Sequence, residues 1–208
     1  IRGIREAHFT TVLCKYEDRR ARICKKHGIR IFVDLLAPGH HVYKEVESAR
    51  KLCLSLRGND VVYGYHIWSD NIGETYGGRS RDAKNVREWD PTHPVYAGTY
   101  RMSRIQRVES IDLFGYYDFH WSRGGHWDHL TKASGVATAK GTLFLRYCDA
   151  APGRVGAGNA NRVGYTIATS IPFGLKGYLF HYAGGVVDEK TGALDQLASG
   201  GQRRVSRP

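Results

Sequence analysis

Apolar positions in this chain come in short runs, separated by polar stretches in which apolar residues recur every three or four places. HFTTVLCK (8–15), IRIFVDLLA (29–37), VVYGYHIW (61–68), PVYAGTY (94–100), IDLFGYYDFHW (111–121), TLFLRYCDA (142–150) and LKGYLFHYAGG (175–185) are rich in β-branched and aromatic residues. Such runs predict strands, and several are apolar on both faces, as in a sheet covered on both sides. The stretches between them predict helices. EDRRARICKKHG (17–28) is stopped by Gly28, and VYKEVESARKLCLSLRG (42–58) puts Val42, Val46, Ala49, Cys53 and Leu56 at helical spacing with Gly58 just past its end. Further helices are predicted over 79–89, closed by the prolines of DPTHP, near 103–109, over 126–141 and over 160–171.

Strands alternating with helices predict a parallel sheet, and seven β/α steps in regular order predict a (β/α)8 TIM-type barrel rather than an open doubly wound sheet. No GxGxxG loop follows any strand, which removes the main signature of a dinucleotide site. Polar residues gather just past the carboxyl ends of many strands, where barrels build active sites. The count is one short of eight. IRGIREAHFTTVL reads as the tail of a helix entering a strand, so the first strand and part of the last helix are expected to be missing from a single incomplete barrel domain over 1–208. ASGGQRRVSRP (198–208) has no apolar face, and 196–208 is expected to be a disordered tail. Open edges at 8–15 and 175–182 then predict a homo-oligomer or a completing segment.

Composition narrows the classes. An apolar fraction of 41% supports a buried core, and no apolar stretch approaches the roughly 18–20 residues that cross a bilayer, so no membrane partner is expected. No leader is recognisable, although the first residues read as the middle of something longer. Four cysteines without a CxxC pair fit a soluble protein of a reducing, cytoplasm-like compartment. The net charge of +11 raises nucleic acid as a partner, but the basic residues concentrate at Lys15, Arg19, Arg20, Arg22, Lys25, Lys26 and Arg30 and in the tail. No zinc-finger or RNA-recognition motif accompanies them, so a solvated surface is the preferred reading and a polyanion site the alternative.

The succession GYHIWSDN, REWDPTHPVYAGTY, a strand ending DFHW and then FGLKGYLFHYAGG resembles bacterial glycoside-hydrolase-like (β/α)8 proteins over about residues 4–195. These belong to the clan of retaining glycosidases that includes β-galactosidases. In that clan the acid/base is a glutamate preceded by asparagine at the end of the fourth strand, and the nucleophile is a glutamate ending the seventh. The resemblance places Asp70-Asn71-Ile72-Gly73-Glu74 at the first position and Tyr147-Cys148-Asp149 at the second. It thus implies hydrolysis of a β-linked glycoside, with Asp70 or Glu74 as acid/base and Asp149 as the facing carboxylate. The clan's Asn–Glu pair is here split by two residues, and aspartate stands where the second glutamate is expected.

The residues bear on that chemistry directly. Glycosidic cleavage needs one carboxylic acid to protonate the leaving oxygen and a second carboxylate at the anomeric carbon. Asp34, Asp70, Glu74, Asp118 and Asp149 all lie at predicted strand ends. A carboxyl beside Trp68 or Trp121 is partly desolvated, which raises its pKa toward that of a general acid. The competing reading is ion pairing with Arg101, Arg146 or Arg154, or helix capping by Asp70 or Asn71. Trp68, Tyr100, Trp121, Trp127 and Tyr182 offer flat faces to a sugar ring, or else pack in the core, and Tyr147 is a further candidate for substrate binding. His120 and His181 would bond a hydroxyl or orient a carboxylate. HWDH (126–129) sets two histidines three apart, but no HExxH or tight ligand set occurs. GRVGAGNANR (153–162) lacks the lysine and spacing of a P-loop and reads as a rim loop. No metal or cofactor is expected; the expected ligand is carbohydrate, and the alternative is a glycan-binding barrel without turnover.

Overall fold

The computed structural model describes residues 5, 8–68, 76–99, 106–117, 126–149, 165 and 167–181, without the side chains of 76, 77, 117, 126, 146–149, 180 and 181. Its strands are β1 (Thr11–Cys14), β2 (Arg30–Asp34), β3 (Val62–Trp68), β4 (Val95–Thr99), β5 (Leu113–Tyr117), β6 (Leu143–Asp149) and β7 (Leu175–His181). The helices are α1 (Asp18–Lys26), α2 (Val46–Leu56), α3 (Tyr76–Trp89) and α4 (His126–Lys140); of the helix expected over 160–171, the described residues 165 and 167–170 are helical and lead into a 3₁₀ turn at Ile171–Phe173. Among the described residues the seven strands form one sheet in chain order, and every neighbouring pair is parallel. This sequential, curled arrangement with helices between the strands is the (β/α)8 TIM-type architecture, with seven strands among the described residues.

Two buried clusters separate the faces of the sheet. Ile31, Val33, Val95, Ala97, Phe114 and Tyr116 join Ala49, Cys53 and Leu56 of α2, Ala83 and Val86 of α3, and Leu130 and Ala133 of α4 in the layer between sheet and helices. Phe32, Tyr96, Leu113 and Leu145, with Tyr63 and Leu179, form the inner cluster. The alternation along each strand produces this division: Phe32 lies between Ile31 and Val33, and Tyr96 between Val95 and Ala97. The rings of Phe32 and Tyr96 meet at 5.6 Å, although β3 runs between their strands. Strands two apart lie roughly 9.6 Å from each other. The rings therefore lean together over the inner face, and small residues make that possible. A Cβ on Gly64 would strike Pro94 O and the Phe32 ring, and one on Gly115 would run into the Tyr96 ring and hydroxyl.

Several element boundaries differ from the sequence expectation. The second strand stops at Asp34 rather than 37; Leu35–Ala37 turn, with Ala37 N–H donating to Asp34 O at 3.3 Å. The helix expected from 42 begins at Val46, because Val42 is held back against the strand end by its N–H bond to Leu35 O at 2.8 Å. Val42 is nonetheless buried, whereas Val46, expected on the same inward face, is 44% exposed. Residues 106–109 of the expected helix near 103–109 form a turn and irregular chain, and 103–105 lie outside the described residues.

Candidate functional site

Because the strands are parallel and in chain order, their carboxyl ends share one end of the sheet, here called the mouth. β2 reaches it with RIFVD, in which the apolar residues fill the layers and Asp34 is the last residue. The register sets Asp34 opposite His66 of β3. Their side chains meet at 3.0 Å between Asp34 Oδ1 and His66 Nδ1, while His66 Nε2 lies 2.9 Å from Trp68 O. Both ring nitrogens thus face oxygen atoms, one from a carboxylate and one from the backbone. The Tyr96 ring lies 5.3 Å from the imidazole, and His66 is buried.

Asp34 Oδ1 also accepts from Leu36 N–H at 3.1 Å. Burial alone would raise the carboxyl's pKa, but the hydrogen bond and charge of His66, with the Leu36 N–H, outweigh it and hold the group below the usual carboxylate range. Both bonds fall on one oxygen. Oδ2 has no hydrogen-bond partner among the described residues, and the side chain is 29% exposed. The mouth therefore carries a carboxylate fixed in orientation and charge, with one oxygen open.

A second cluster flanks it. The guanidinium of Arg79, in the first turn of α3, sits 4.3 Å from the centre of the Tyr43 ring and 3.6 Å from Asp82, and both charged residues are buried. Tyr43 belongs to the loop leaving β2, and its ring packs edge-on at 3.9 Å against His41. The ring face and the Asp82 carboxylate offset part of the cost of burying the guanidinium. Sequence reasoning missed this arginine, because in GGRSRDAK nothing separates a buried cation from a solvated one.

The remaining sequence candidates fall into three groups. Asp149 and His181 end β6 and β7 and are direct Cα partners in the register, repeating at the other side of the sheet the Asp34–His66 pairing, and Tyr147 lies two residues earlier in β6 opposite Leu179. Trp68 is 2% exposed and belongs to the cluster that packs sheet against helices. Its indole N–H is buried without a partner among the described residues. Asp70, Asn71, Glu74, Tyr100, Asp118, His120, Trp121 and Tyr182 lie outside the described residues, as do Arg101, Arg154 and the 153–162 loop. Of HWDH, His129 faces Tyr116 edge-on at 6.1 Å on α4. Among the described residues no group of three or more His, Cys, Asp or Glu side chains converges as metal ligands would, and no helix is long and apolar enough to cross a membrane.

The opposite end of the barrel holds a second aspartate–histidine pair that the sequence reading treated only as a proline stop. Asp90 Oδ2 accepts from Tyr65 Oη at 2.7 Å and faces His93 Nδ1 at 2.7 Å. Asp90 Oδ1 takes the backbone N–H and hydroxyl of Thr92, and His93 Nε2 meets Asn59 O at 3.1 Å. Burial pushes the neighbouring Cys53 thiol up to about 12, with the Asp90 charge adding to it.

Set against known proteins, this chain matches no protein-family model and no curated protein. Solved structures do resemble it. A candidate alpha-L-fucosidase from Bacteroides thetaiotaomicron VPI-5482 superposes with a TM-score of 0.66 at 10% identity, over 90% of this chain and 70% of that one. A GH2 beta-galacturonidase from Eisenbergiella tayi bound to galacturonate gives 0.59 at 13%, over 86% of this chain and 38% of that one, so the chain spans well under half of that enzyme. An HpcH/HpaI aldolase from Desulfitobacterium hafniense DCB-2 gives 0.53 at 12%, over 100% and 88%. In fold, then, the chain is a TIM-type barrel similar to glycoside hydrolases, and the aldolase shows that the same scaffold hosts other chemistry.

Proposed function

We propose that this protein is a carbohydrate-active barrel that binds a β-linked glycoside at the mouth and cleaves it with two carboxylates, Asp70 or Glu74 as acid/base and Asp149 as the facing group. The observation that carries the reading is Asp34, an anchored carboxylate whose open oxygen is suited to accept from a sugar hydroxyl. The fold similarity to glycoside hydrolases supports it, and so does the register that ends β6 and β7 in Asp149 and His181. Retaining hydrolysis calls for the two catalytic carboxyls about 5–5.5 Å apart. Asn71, Tyr100, Asp118, His120, Trp121, Tyr147, His181 and Tyr182 would complete the sugar contacts, and the edges at β1 and β7 would take a second copy or a completing segment.

The test is a panel of chromogenic aryl β-glycosides, run with the wild-type chain beside Asp149→Asn, Glu74→Gln and Asp34→Asn. Turnover abolished by Asp149→Asn, and raised in KM by Asp34→Asn, is the expected result. Turnover indifferent to all three removes the site. Glycan binding by calorimetry without turnover leaves the non-catalytic reading, for which the aspartate at 149 in place of a glutamate already speaks.

A further inference from the structure

α1 carries five basic residues in nine, and they do not share one role. Arg20 pairs with Glu17 at 3.1 Å and Lys25 with Asp60 at 2.9 Å. Arg19, Arg22 and Lys26 are exposed and have no acidic partner among the described residues. At about 100° per residue these three fall within roughly 60° of one another, and Ile23, 39% exposed, lies on the same strip. Ala21 and Cys24 occupy the buried opposite side. Lys26, in the last turn, is favoured by the helix dipole, but Arg19 sits in the first turn, where a cation is disfavoured. Helix stability therefore does not explain its presence.

The strip begins beside the mouth. β1 delivers the chain to that end of the sheet, and α1 starts four residues after Cys14. Arg20 reaches Lys15 O at 3.5 Å, just past the end of β1, and Cys14 pairs with Val33, one step before Asp34. A polymer lying across the mouth meets the first turn of α1 on one side. Arginine forks bind carboxylates in bidentate fashion, and no aromatic ring lies on the strip to stack a base.

The geometry points to α1 as an accessory binding surface for an acidic polysaccharide: the sugar in the mouth is neutral and faces Asp34, while the flanking uronic-acid units lie along Arg19, Arg22 and Lys26. This rests on the carbohydrate reading and narrows its substrate class. The test uses the full chain and labelled polygalacturonate, with a neutral cello-oligosaccharide and a single-stranded RNA as comparison probes. The charge-reversal triple Arg19→Glu/Arg22→Glu/Lys26→Glu is set beside a control of equal net charge, Lys51→Glu/Lys84→Glu/Lys132→Glu, whose lysines are exposed on α2, α3 and α4.

Expected are about a tenfold or greater loss of polygalacturonate affinity in the first triple, little change in the control, and a wild-type log–log salt slope of about 2 to 3, as three neutralised cations give. Equal losses in both triples would mean bulk charge and overturn the surface, as would RNA binding tighter than polygalacturonate. Neutral-glycoside turnover with no polygalacturonate binding overturns this inference and leaves the carbohydrate reading standing. Polygalacturonate held on the strip with no glycoside bound at the mouth keeps the surface and removes the carbohydrate reading of the mouth.

Discussion

Two aspartate–histidine pairs, at opposite ends of the same barrel, show how one chemistry serves different ends. Asp90 is wholly buried and takes four bonds, two on each oxygen, from Tyr65, His93 and Thr92. Nothing remains for a ligand to use. It ties the loop after α3 to the loop before β3 through His93 and Asn59 O. Asp34 takes two bonds, both on one oxygen, and keeps the other exposed. A saturated carboxylate holds structure together, while one that is anchored and half-open can recognise. Saturation and burial separate them and the direction of the pKa shift does not, since both carboxyls are held below the usual range by their histidines despite the opposing effect of burial.

The sharpest way to break this contrast is Asp90→Ala, which strands the Tyr65 hydroxyl and His93 in the interior. A loss of about 3 kcal/mol or more is expected, read from the urea midpoint. A shift within about 0.5 kcal/mol would show that the lower pair does not hold the loops. Tyr65→Phe removes one donor of four and leaves Asp90 well bonded, so about 1 kcal/mol is expected in the same measurement. Asp34→Asn should cost less, under about 1 kcal/mol, because its amide oxygen still accepts from Leu36 and the site is partly solvated. Its effect belongs to ligand binding, and a large loss of stability would make Asp34 a second structural carboxylate.

Acid offers the gentlest probe. Both folded-state carboxyl pKa values lie below their unfolded values, so each carboxylate's contribution is fully present above the ordinary aspartate value near 3.9 and disappears as pH falls through the lower folded value. The stability these two carboxylates supply should therefore fall away below about pH 4, and Asp90→Ala should flatten that limb more than Asp34→Asn does. Equal flattening would erase the distinction.

Much of the architecture was legible because it depends on local pattern. The apolar runs and the glycines after them located all seven strands of the sheet and α1 to α4, and Gly28, Gly58 and Gly141 stand at positive φ where helices were expected to stop. What escaped depends on contacts between distant positions. Val42 fits a helical spacing as well as it fits the loop that presses it onto the end of β2. Trp68 ends a strand, yet the irregular register between His66 and Trp68 sets it opposite Ala97, whose position belongs to the helix-facing layer. The pairing of Asp34 with His66 needs the β2–β3 register, which no single strand reveals. DPTH, by contrast, held a readable signal: an aspartate at a helix end with Thr and His two and three residues on is the pattern of a side chain that caps a turn.

Strand order that repeats chain order bears on how the molecule is made. β1 meets β2 through Thr11 and Arg30, and β4 meets β5 through Tyr96 and Leu113. Among the described strands each pairs with its neighbour in the chain, and none pairs with one from the far end. Closing such short loops carries a modest entropic penalty that recurs almost unchanged at every step. Assembly can accordingly keep pace with synthesis, each newly emerged β/α unit adding to the rim already built on the ribosome. Arrested nascent chains released after β3 and after β5 would show it as stepwise gains in protease resistance, whereas a single gain at full length would mean that the sheet forms all at once.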